Sequence, residues 1–258
     1  MSEGNNRQAG QNLLTESFHD YFSVALALSP EQKQDAFRIR YRVYCEEFRY
    51  EPADRFPDGL ETDEYDDQAL NCLITHRRSG MPAGCVRVVP ARGSTDEWPL
   101  PFEKHIADSL DQAYIRNLHL PRDTICEVSR LAVDGAFRRR AGEEATRFGE
   151  VDAMDLSHPE KRTFGLIAVA AFLAATAVTD LSGRTNVFAV MEPFLPRLLK
   201  RSGILFHKVG DDVEYHGLRA PYFGQTRTTI AEMIPELKNF YLSIYDVIAD
   251  TYNRELSS

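Results

Sequence analysis

The chain has 258 residues, of which 43% are hydrophobic and 27% charged, the composition of a globular protein with a substantial core. No stretch rich in Gly, Ser and Pro divides it, so we expect one domain. Its formal net charge of −9 at pH 7 argues against general nucleic-acid binding.

The cysteines and the N-terminus indicate a reducing compartment. Cys45, Cys72, Cys85 and Cys126 show no CxxC spacing and fall in apolar patterns, as buried thiols do. The N-terminus lacks the basic start and the following apolar block of a signal peptide, so none is expected. The apolar run 164–178 is too short to span a bilayer, so no transmembrane segment is expected. The sequence therefore predicts a cytoplasmic protein.

The first part of the chain predicts a strand followed by a long helix. Residues 1–17 are polar and are expected to form a flexible N-terminus ahead of a folded domain over 18–226. A strand is predicted over 21–28. Ser29 is a helix cap with Pro at the first helical position, and apolar residues at spacings of three and four extend this helix to Phe48.

The rest of the chain alternates between strand and helix patterns. After a long loop over 49–67, the sequence predicts strands at 69–75 and 83–89, a short helix at 102–110, an irregular connection at 111–123, a strand at 124–133, a helix at 161–181, a strand at 187–191, a helix at 194–201, and strands at 205–209 and 213–218. Residues 227–258 are expected to form an amphipathic helical extension of the same domain.

The stretch from Glu127 to Val133 places an acid and a base inside an apolar run that predicts a buried strand. Side chains alternate along a strand, so Glu127 and Arg130 point to opposite faces unless an extra residue shifts the register. A β-bulge would bring both to one face, and bulges are concentrated beside active sites. An ion pair that closes the end of a sheet is the alternative interpretation.

Other charged residues extend this candidate site. Arg40 and Tyr44 lie one helical turn apart and therefore share a face. The acidic run 61–67 is either a solvated loop or an anionic wall for an ammonium group. Arg87 lies in an alternating strand, where it either faces solvent or binds a carboxylate of a ligand or of the acidic run.

The order of elements and five short motifs resemble the GNAT acyltransferases. Within that group, the chain is similar to the acyl-homoserine-lactone synthases and the related N-acyl amino acid synthases over about residues 35–210. The motifs are Ile39-Arg40-Tyr41-Arg42-Val43-Tyr44, Tyr50 where the lactone synthases have Trp, Asp63-Glu64-Tyr65-Asp66, Gly84-Cys85-Val86-Arg87, and Glu127-Val128-Ser129-Arg130. The resemblance implies an α/β fold with a mixed, mostly antiparallel central sheet flanked by helices, and an extra C-terminal helix.

The resemblance also implies roles for the site residues. Glu127 would act as general base through a water molecule, Arg130 would orient Glu127 or hold the acceptor, and a backbone N–H where strands splay apart would polarise the thioester. The acceptor pocket would be formed by Arg40, Tyr44, Tyr50, Asp63, Asp66 and Arg87. The tyrosines at 44 and 50 replace the Phe and Trp that would stack on S-adenosylmethionine, so a different small amine, such as an amino acid, is expected. The helix at 194–201 offers no Tyr to protonate the leaving thiol.

The loop after the Glu127 strand indicates the acyl donor. It reads Asp-Gly-Ala-Phe-Arg-Arg-Arg-Ala-Gly-Glu and lacks the Gly-x-Gly spacing with which most GNAT enzymes bind the coenzyme A pyrophosphate. Acyl carrier protein is therefore the expected donor and partner, with no tightly bound cofactor. Carrier proteins are acidic, so docking requires a local basic patch. The predicted docking residues are Arg138, Arg139, Arg140, Lys161, Arg162, Arg197, Lys200 and Arg201.

These inferences combine into an acyltransferase that moves a fatty acyl chain from acyl carrier protein to a small amine. Extra length at both ends and the Arg-rich insert resemble the acyltransferases that occur beside PEP-CTERM/exosortase protein-sorting systems. The alternatives are a homoserine-lactone synthase that uses S-adenosylmethionine and a non-catalytic GNAT-like binding protein. The histidines lack metal-ligand spacing, so no metal site is expected, and Ser129 lacks the Gly-x-Ser-x-Gly motif of serine hydrolases.

Overall fold

The computed structural model describes residues 14–138 and 159–256, with the backbone alone at 159–164. The strands are β1 (Phe22–Leu26), β2 (Leu70–His76), β3 (Pro82–Pro90), β4 (Ile125–Val133), β5 (Asn186–Met191), β6 (His207–Lys208), β7 (Val213–Glu214) and β8 (Leu218–Gln225). The helices are α1 (14–21), α2 (Pro30–Arg40), a π-helix (Tyr41–Glu47), α3 (Pro101–His105), α4 (Gln112–Asn117), α5 (Gly135–Arg138), α6 (Pro159–Leu181), α7 (Leu195–Arg201), α8 (Thr226–Glu232) and α9 (Pro235–Glu255).

The strands form one eight-stranded sheet in the order β1-β2-β3-β4-β5-β8-β6, with β7 paired to β8. Only β4 and β5 run parallel among these pairs. The expected mixed, mostly antiparallel sheet is therefore confirmed.

Helices cover both faces of the sheet, and side chains alternate between the two layers. Cys72 and Ile74 of β2 pack under α6, whereas Leu73 packs with the residues of α2. Helix α6 crosses β3 so closely that a Cβ at Gly84 would come within 2.6 Å of the Ile167 Cγ2 atom. The sequence has Gly at this crossing because no larger residue fits.

The two chain ends pack on the α6 layer. Helix α9 contacts α6 and β1, and its residues Phe240, Ile244 and Ile248 are fully buried. The ring of Phe18 in α1 lies 5.0 Å from that of Phe240. The C-terminal helix therefore shares the main core, and residues 14–17, predicted to be flexible, belong to helix α1. Among the described residues, no helix combines the length and the apolar character needed to cross a membrane.

Helix α2 begins as its sequence predicts and ends differently. The Ser29 side chain accepts a hydrogen bond from the Gln32 backbone N–H, and the Gln32 side chain accepts one from the Ser29 backbone N–H. After Arg40 the chain continues as the π-helix, in which Tyr44 is buried. Such wide π-helical turns are rare overall, and many of those that occur lie at functional sites. Arg40, at the end of α2, and Tyr44, within the π-helix, are both buried in the protein interior.

The strand predicted over 213–218 is wrong in extent. Only β7 forms, the chain turns at 215–217, and a further strand, β8, follows. β8 lies inside the sheet between β5 and β6 although it contains Pro221 and Gly224. These residues are unfavourable in strands, and they concealed β8 in the sequence.

Two shorter elements also differ from the sequence predictions. The helix predicted at 102–110 ends at His105 and is followed by a 3-10 turn, Ala107–Ser109. The connection predicted as irregular contains α4, which begins where the Asp111 side chain accepts a hydrogen bond from the Tyr114 backbone N–H at 2.9 Å.

Candidate active site

The predicted β-bulge is present in β4. Arg87 pairs with Ser129 and Cys85 with Ala132, so β4 has one residue more than β3 over this interval. Arg130 lies at this shift and has a φ of 52°, a left-handed conformation that a long side chain rarely adopts. The bulge turns the Arg130 side chain into a cavity that Glu127 also lines. Glu127 and Arg130 therefore line one cavity, as the β-bulge interpretation of the sequence requires.

Arg130 is held by carboxylates rather than by Glu127. Its guanidinium donates to the Glu61 Oε1 atom at 2.9 and 3.1 Å, and lies 3.7 Å from carboxyl oxygens of Glu51 and Asp63. It also lies over the ring of Tyr44, 5.2 Å from the centroid. The sheet-closing Glu127–Arg130 ion pair is therefore not the arrangement observed.

A buried network of arginines and acids lies behind Arg130. Arg40 donates to both carboxyl oxygens of Asp66, at 2.6 and 2.9 Å, and to Glu61. Arg87 donates to Asp63 at 2.6 Å and to Asp66 at 3.0 Å. Both arginine side chains are fully buried. Glu61, Asp63 and Asp66 of the acidic run are thus folded over the strands as ion-pair partners, while Glu64 and Asp67 remain exposed.

The network keeps its acids ionised. Burial alone would raise the pKa of Glu61, but the charges of Arg40 and Arg130 lower it far below 4.5. Burial likewise opposes ionisation of Asp66, and the pKa of Asp66 is nevertheless lowered by Arg40 and Arg87. A charged group buried here without its partner would be costly, so the three arginines and three acids of the network form a single unit. They are Arg40, Arg87, Arg130, Glu61, Asp63 and Asp66.

Glu127 has the opposite environment. It is 4% exposed, and its Oε2 atom accepts a hydrogen bond of 2.7 Å from the Phe102 backbone N–H. Burial raises the pKa of Glu127 to about 7, outweighing that hydrogen bond and the charges of Arg87 and Arg130. A carboxyl group with a pKa near neutrality can both accept and release a proton at working pH.

Two cavities meet at Arg130, and Glu127 lines the first of them. The first, the acyl cavity, lies where β4 and β5 separate, because their pairing stops at Glu127 and Phe188 although both strands continue. Its walls are mainly apolar and include Phe172, Leu199 and Phe206. The separation leaves backbone groups of β4 facing the cavity instead of a neighbouring strand, as the splayed strands predicted from the sequence require.

The second, the acceptor cavity, has a volume of about 340 Å³, and most of the residues that line it are charged or polar. Its residues are Glu51, Arg55, Phe56, Glu61, Thr62, Asp63, Glu64, Tyr65, Lys104, His105, Arg130, Tyr215 and His216. His105, Arg130 and Tyr215 line both cavities and therefore mark their junction.

Stacked rings join the predicted Tyr50 to Tyr215 and His216, two residues of the acceptor cavity that the sequence did not predict. Tyr50 stacks against Phe48 at 5.4 Å and against His216 at 5.3 Å, with interplanar angles of 16° and 14°. Tyr215 stacks between His216, at 4.4 Å, and His105, at 5.8 Å. The turn between β7 and β8 brings these rings together, so the missed β8 explains why Tyr215 and His216 were not considered. The Glu51 carboxylate, 3.3 Å from the His216 Nε2 atom, was missed for the same reason.

The predicted docking residues are not all placed alike. The prediction of Arg138 as an exposed docking cation is wrong. Its side chain is 5% exposed, pairs with Glu47 and lies over the ring of Phe48. Arg139 and Arg140 lie outside the described residues, as do the side chains of Lys161 and Arg162. Exposed cations are found on α7: Arg197, Lys200 and Arg201, here termed the α7 patch.

The turn after β4 contains an acid where an anion cradle would be needed. Asp134 accepts the Ala136 backbone N–H at its side chain and the Phe137 N–H at its carbonyl, both at 2.9 Å. Its carboxylate also pairs with Arg42 at 2.5 Å. Within the described residues, no group of three or more His, Cys, Asp and Glu is arranged to hold a metal ion. The four cysteines are buried and free, as predicted.

Comparisons with known proteins agree with this architecture. Residues 39–147 match the acetyltransferase (GNAT) domain model. A search of curated proteins finds no match in sequence.

Solved structures with a similar fold include TofI in a ternary complex with an inhibitor and MTA, with a TM-score of 0.57 and 19% identity over 84% of this chain and 99% of TofI. MesI, described as a CoA-dependent acyl-homoserine lactone synthase, gives a TM-score of 0.54 and 19% identity over 88% of this chain and 100% of MesI. FeeM, an N-acyl amino acid synthase from uncultured soil microbes, gives 0.52 and 13% over 85% of this chain and 97% of FeeM. The chain has the GNAT-like α/β fold, with a C-terminal helix packed on it.

Proposed function

We propose that the protein is an N-acyltransferase that moves a fatty acyl group from acyl carrier protein to the amine of a small acceptor such as an amino acid. The observation that carries the proposal is Glu127, a buried carboxyl with its pKa raised to about 7, which lines an apolar cavity that joins a second, charged cavity at Arg130. The GNAT domain match and the lactone synthases and N-acyl amino acid synthase among the similar structures support acyl transfer. Cytoplasmic location is part of the proposal.

The proposed reaction uses the two cavities for two substrates. The acyl chain occupies the cavity between the separated strands, where a β4 backbone N–H polarises the thioester carbonyl. The acceptor enters as an ammonium ion attracted by Glu51 and Asp63, the most exposed acids around Arg130. The bound ammonium ion gives one proton to solvent, and Glu127 takes a second proton from the resulting neutral amine as it reacts, directly or through a water molecule. The amine nitrogen then bonds to the carbonyl carbon, and the carbon–sulfur bond breaks.

Carrier protein is the proposed donor because the turn after β4 is poorly suited to a pyrophosphate. Its N–H groups at 136 and 137 already bond to Asp134, whose carboxylate would repel a phosphate. Helix α7 offers a docking surface instead: Leu195 and Leu199 line the acyl cavity while the α7 patch is exposed. A positive helix beside the acyl cavity complements an acidic carrier. Since MesI is described as CoA-dependent, the fold alone does not decide the donor.

Tyr50 supports an acceptor other than S-adenosylmethionine. Both faces of its ring are covered, by Phe48 and by His216, so neither face is open to an adenine ring. A homoserine-lactone synthase remains the second candidate, favoured by the similarity to MesI and TofI. A non-catalytic binding protein has less support, because Glu127 and Arg130 line the same cavity.

Association with a PEP-CTERM/exosortase system completes the proposal and rests on the chain's extra length and Arg-rich segment alone. Deletion of the gene in its host tests it. Altered processing or sorting of PEP-CTERM proteins supports the association, and unchanged sorting contradicts it.

The function is tested with purified protein, acyl carrier protein loaded with one fatty acid, and a panel of the standard amino acids and S-adenosylmethionine. Mass spectrometry identifies the products, with Glu127→Gln as the matched control. An N-acyl amino acid made only by the wild type supports the proposal. An acyl-homoserine lactone supports the second candidate, and no acylated product from any donor or amine supports a binding protein.

A further inference from the structure

We infer that Tyr215 is the residue that protonates the departing thiol. The inference rests on the proposed acyl transfer and supplies the step that α7 cannot provide, because α7 contains no tyrosine. Tyr215 lies in the turn between β7 and β8. There it reaches both the acyl cavity and the acceptor cavity.

The turn holds the Tyr215 ring in a fixed orientation. His216 and Gly217 have φ values of 54° and 87°, and the Tyr215 backbone N–H donates to the Gly217 carbonyl at 3.1 Å. A left-handed histidine is strained, and such strain is common where a side chain must be aimed. Stacking on His216 and His105 then fixes both faces of the ring.

The hydroxyl group of Tyr215 has a proton to give. Burial raises the pKa of Tyr215 although the positive charge of the Arg130 guanidinium opposes it, and that guanidinium has no atom that could accept the phenol hydrogen. The Tyr215 hydrogen is therefore directed away from Arg130, and no described residue accepts it. The same arginine would stabilise the phenolate once the proton has been transferred.

The other two residues at the junction are poorer acids. The charges of Glu61 and Tyr44 overcome the effect of burial and raise the pKa of Arg130 well above its usual value, so it retains its protons. Burial and the neighbouring Lys104 lower the pKa of His105, which is therefore neutral at working pH. Burial raises the pKa of Tyr215, so this phenol is fully protonated before the reaction. Ser129, which also lines the acyl cavity, is an alcohol and a much weaker acid than a phenol.

From the neutral amine onward, the proton balance closes within the site. The amine nitrogen bonds to the carbonyl carbon as Glu127 accepts an amine proton. The carbon–sulfur bond then breaks, and its electron pair goes to sulfur as Tyr215 gives its proton to the forming thiolate. The phenolate, paired with Arg130, recovers a proton from Glu127 through solvent when the products leave, which restores both residues.

Tyr215→Phe retains the stacked ring and removes the proton. With the acyl chain and the best amino acid of the panel fixed, rates are compared for an N-acetylcysteamine thioester and a thiophenol thioester. An alkyl thiol has a pKa of about 8.5 and needs protonation, so kcat should fall about 100-fold. Thiophenol leaves as a stable anion, and with it the loss should be less than about 5-fold. Tyr222→Phe, a buried tyrosine outside both cavities, is the control.

The leaving-group comparison separates proton donation from a structural role. An equal loss with both thioesters, or no loss with either, overturns the inference while acyl transfer by the wild type still supports the proposed function. Absence of transfer by the wild type contradicts the proposed function itself. If Tyr215→Phe does not fold, a fluorinated tyrosine at 215 lowers the phenol pKa and should shift the high-pH limit of kcat downwards. An unchanged limit overturns the inference.

Discussion

Glu127→Gln should make the protein more stable at alkaline pH while removing its activity. The buried carboxyl has its pKa raised from 4.5 to about 7, so folding opposes its ionisation. Each unit of pKa difference between folded and unfolded states is worth about 1.4 kcal/mol, which limits the penalty to about 3 kcal/mol. Glutamine has the same shape, carries no charge and can still accept the Phe102 N–H bond.

The sign of the pH dependence follows from the raised pKa. Below pH 4.5 both states are protonated and the penalty is absent, and it grows until the folded state ionises near pH 7. The variant should therefore be more stable than the wild type by about 3 kcal/mol at pH 8 and by about 1 kcal/mol at pH 5. Urea denaturation of both proteins at the two pH values measures this. Other acids contribute equally to both proteins and cancel, so a difference that does not vary with pH would refute the raised pKa.

Three further predictions concern the network, the donor and the acyl cavity. Asp66→Asn should cost about 3–5 kcal/mol in urea denaturation because two buried arginines lose a charged partner, whereas Asp35→Asn in an exposed pair should cost less than about 0.5 kcal/mol; equal effects would contradict a buried network. Reversing the α7 patch to Glu should raise KM for acyl carrier protein at least about tenfold, with a salt-sensitive loss that Arg254→Glu on α9 does not cause; an unchanged KM would move the docking site elsewhere. Phe206→Ala should shift the preferred substrate in a mixture of acyl carrier proteins to longer chains, since the ring fills space beside Gly224, and an unaltered product profile would remove Phe206 from the acyl wall.

The site could be predicted from sequence where one element supplies the signal. Glu127 and Arg130 stood out because charges interrupt an apolar strand, and of the two interpretations that the sequence left open, β4 contains the β-bulge. Whether the acidic run 61–67 is solvated or paired with arginines could not be decided in this way. Its acids are distant in sequence from Arg40 and Arg87, and only the folded chain places them within hydrogen-bonding distance.

Residues that a turn brings to the site from a distant part of the chain could not be predicted. Tyr215 and His216 reach the site through a turn before β8, a strand whose Pro221 and Gly224 hide its pattern. Arg138 shows the converse error. In sequence it belongs to an exposed-looking basic run, but its pairing with Glu47 buries it. Burial of a charge depends on a partner that composition does not reveal.

The pH dependence of acyl transfer tests the central claim most directly. Thiol release from acyl carrier protein is measured at saturating acceptor across pH, with two acceptor amines of different pKa. Thiol release should require the amine, and its rate should rise through about pH 7, the pKa of Glu127, with the same midpoint for both amines. Release that does not require the amine, or a rising limb that follows the pKa of the amine and ignores that of Glu127, would contradict the central claim.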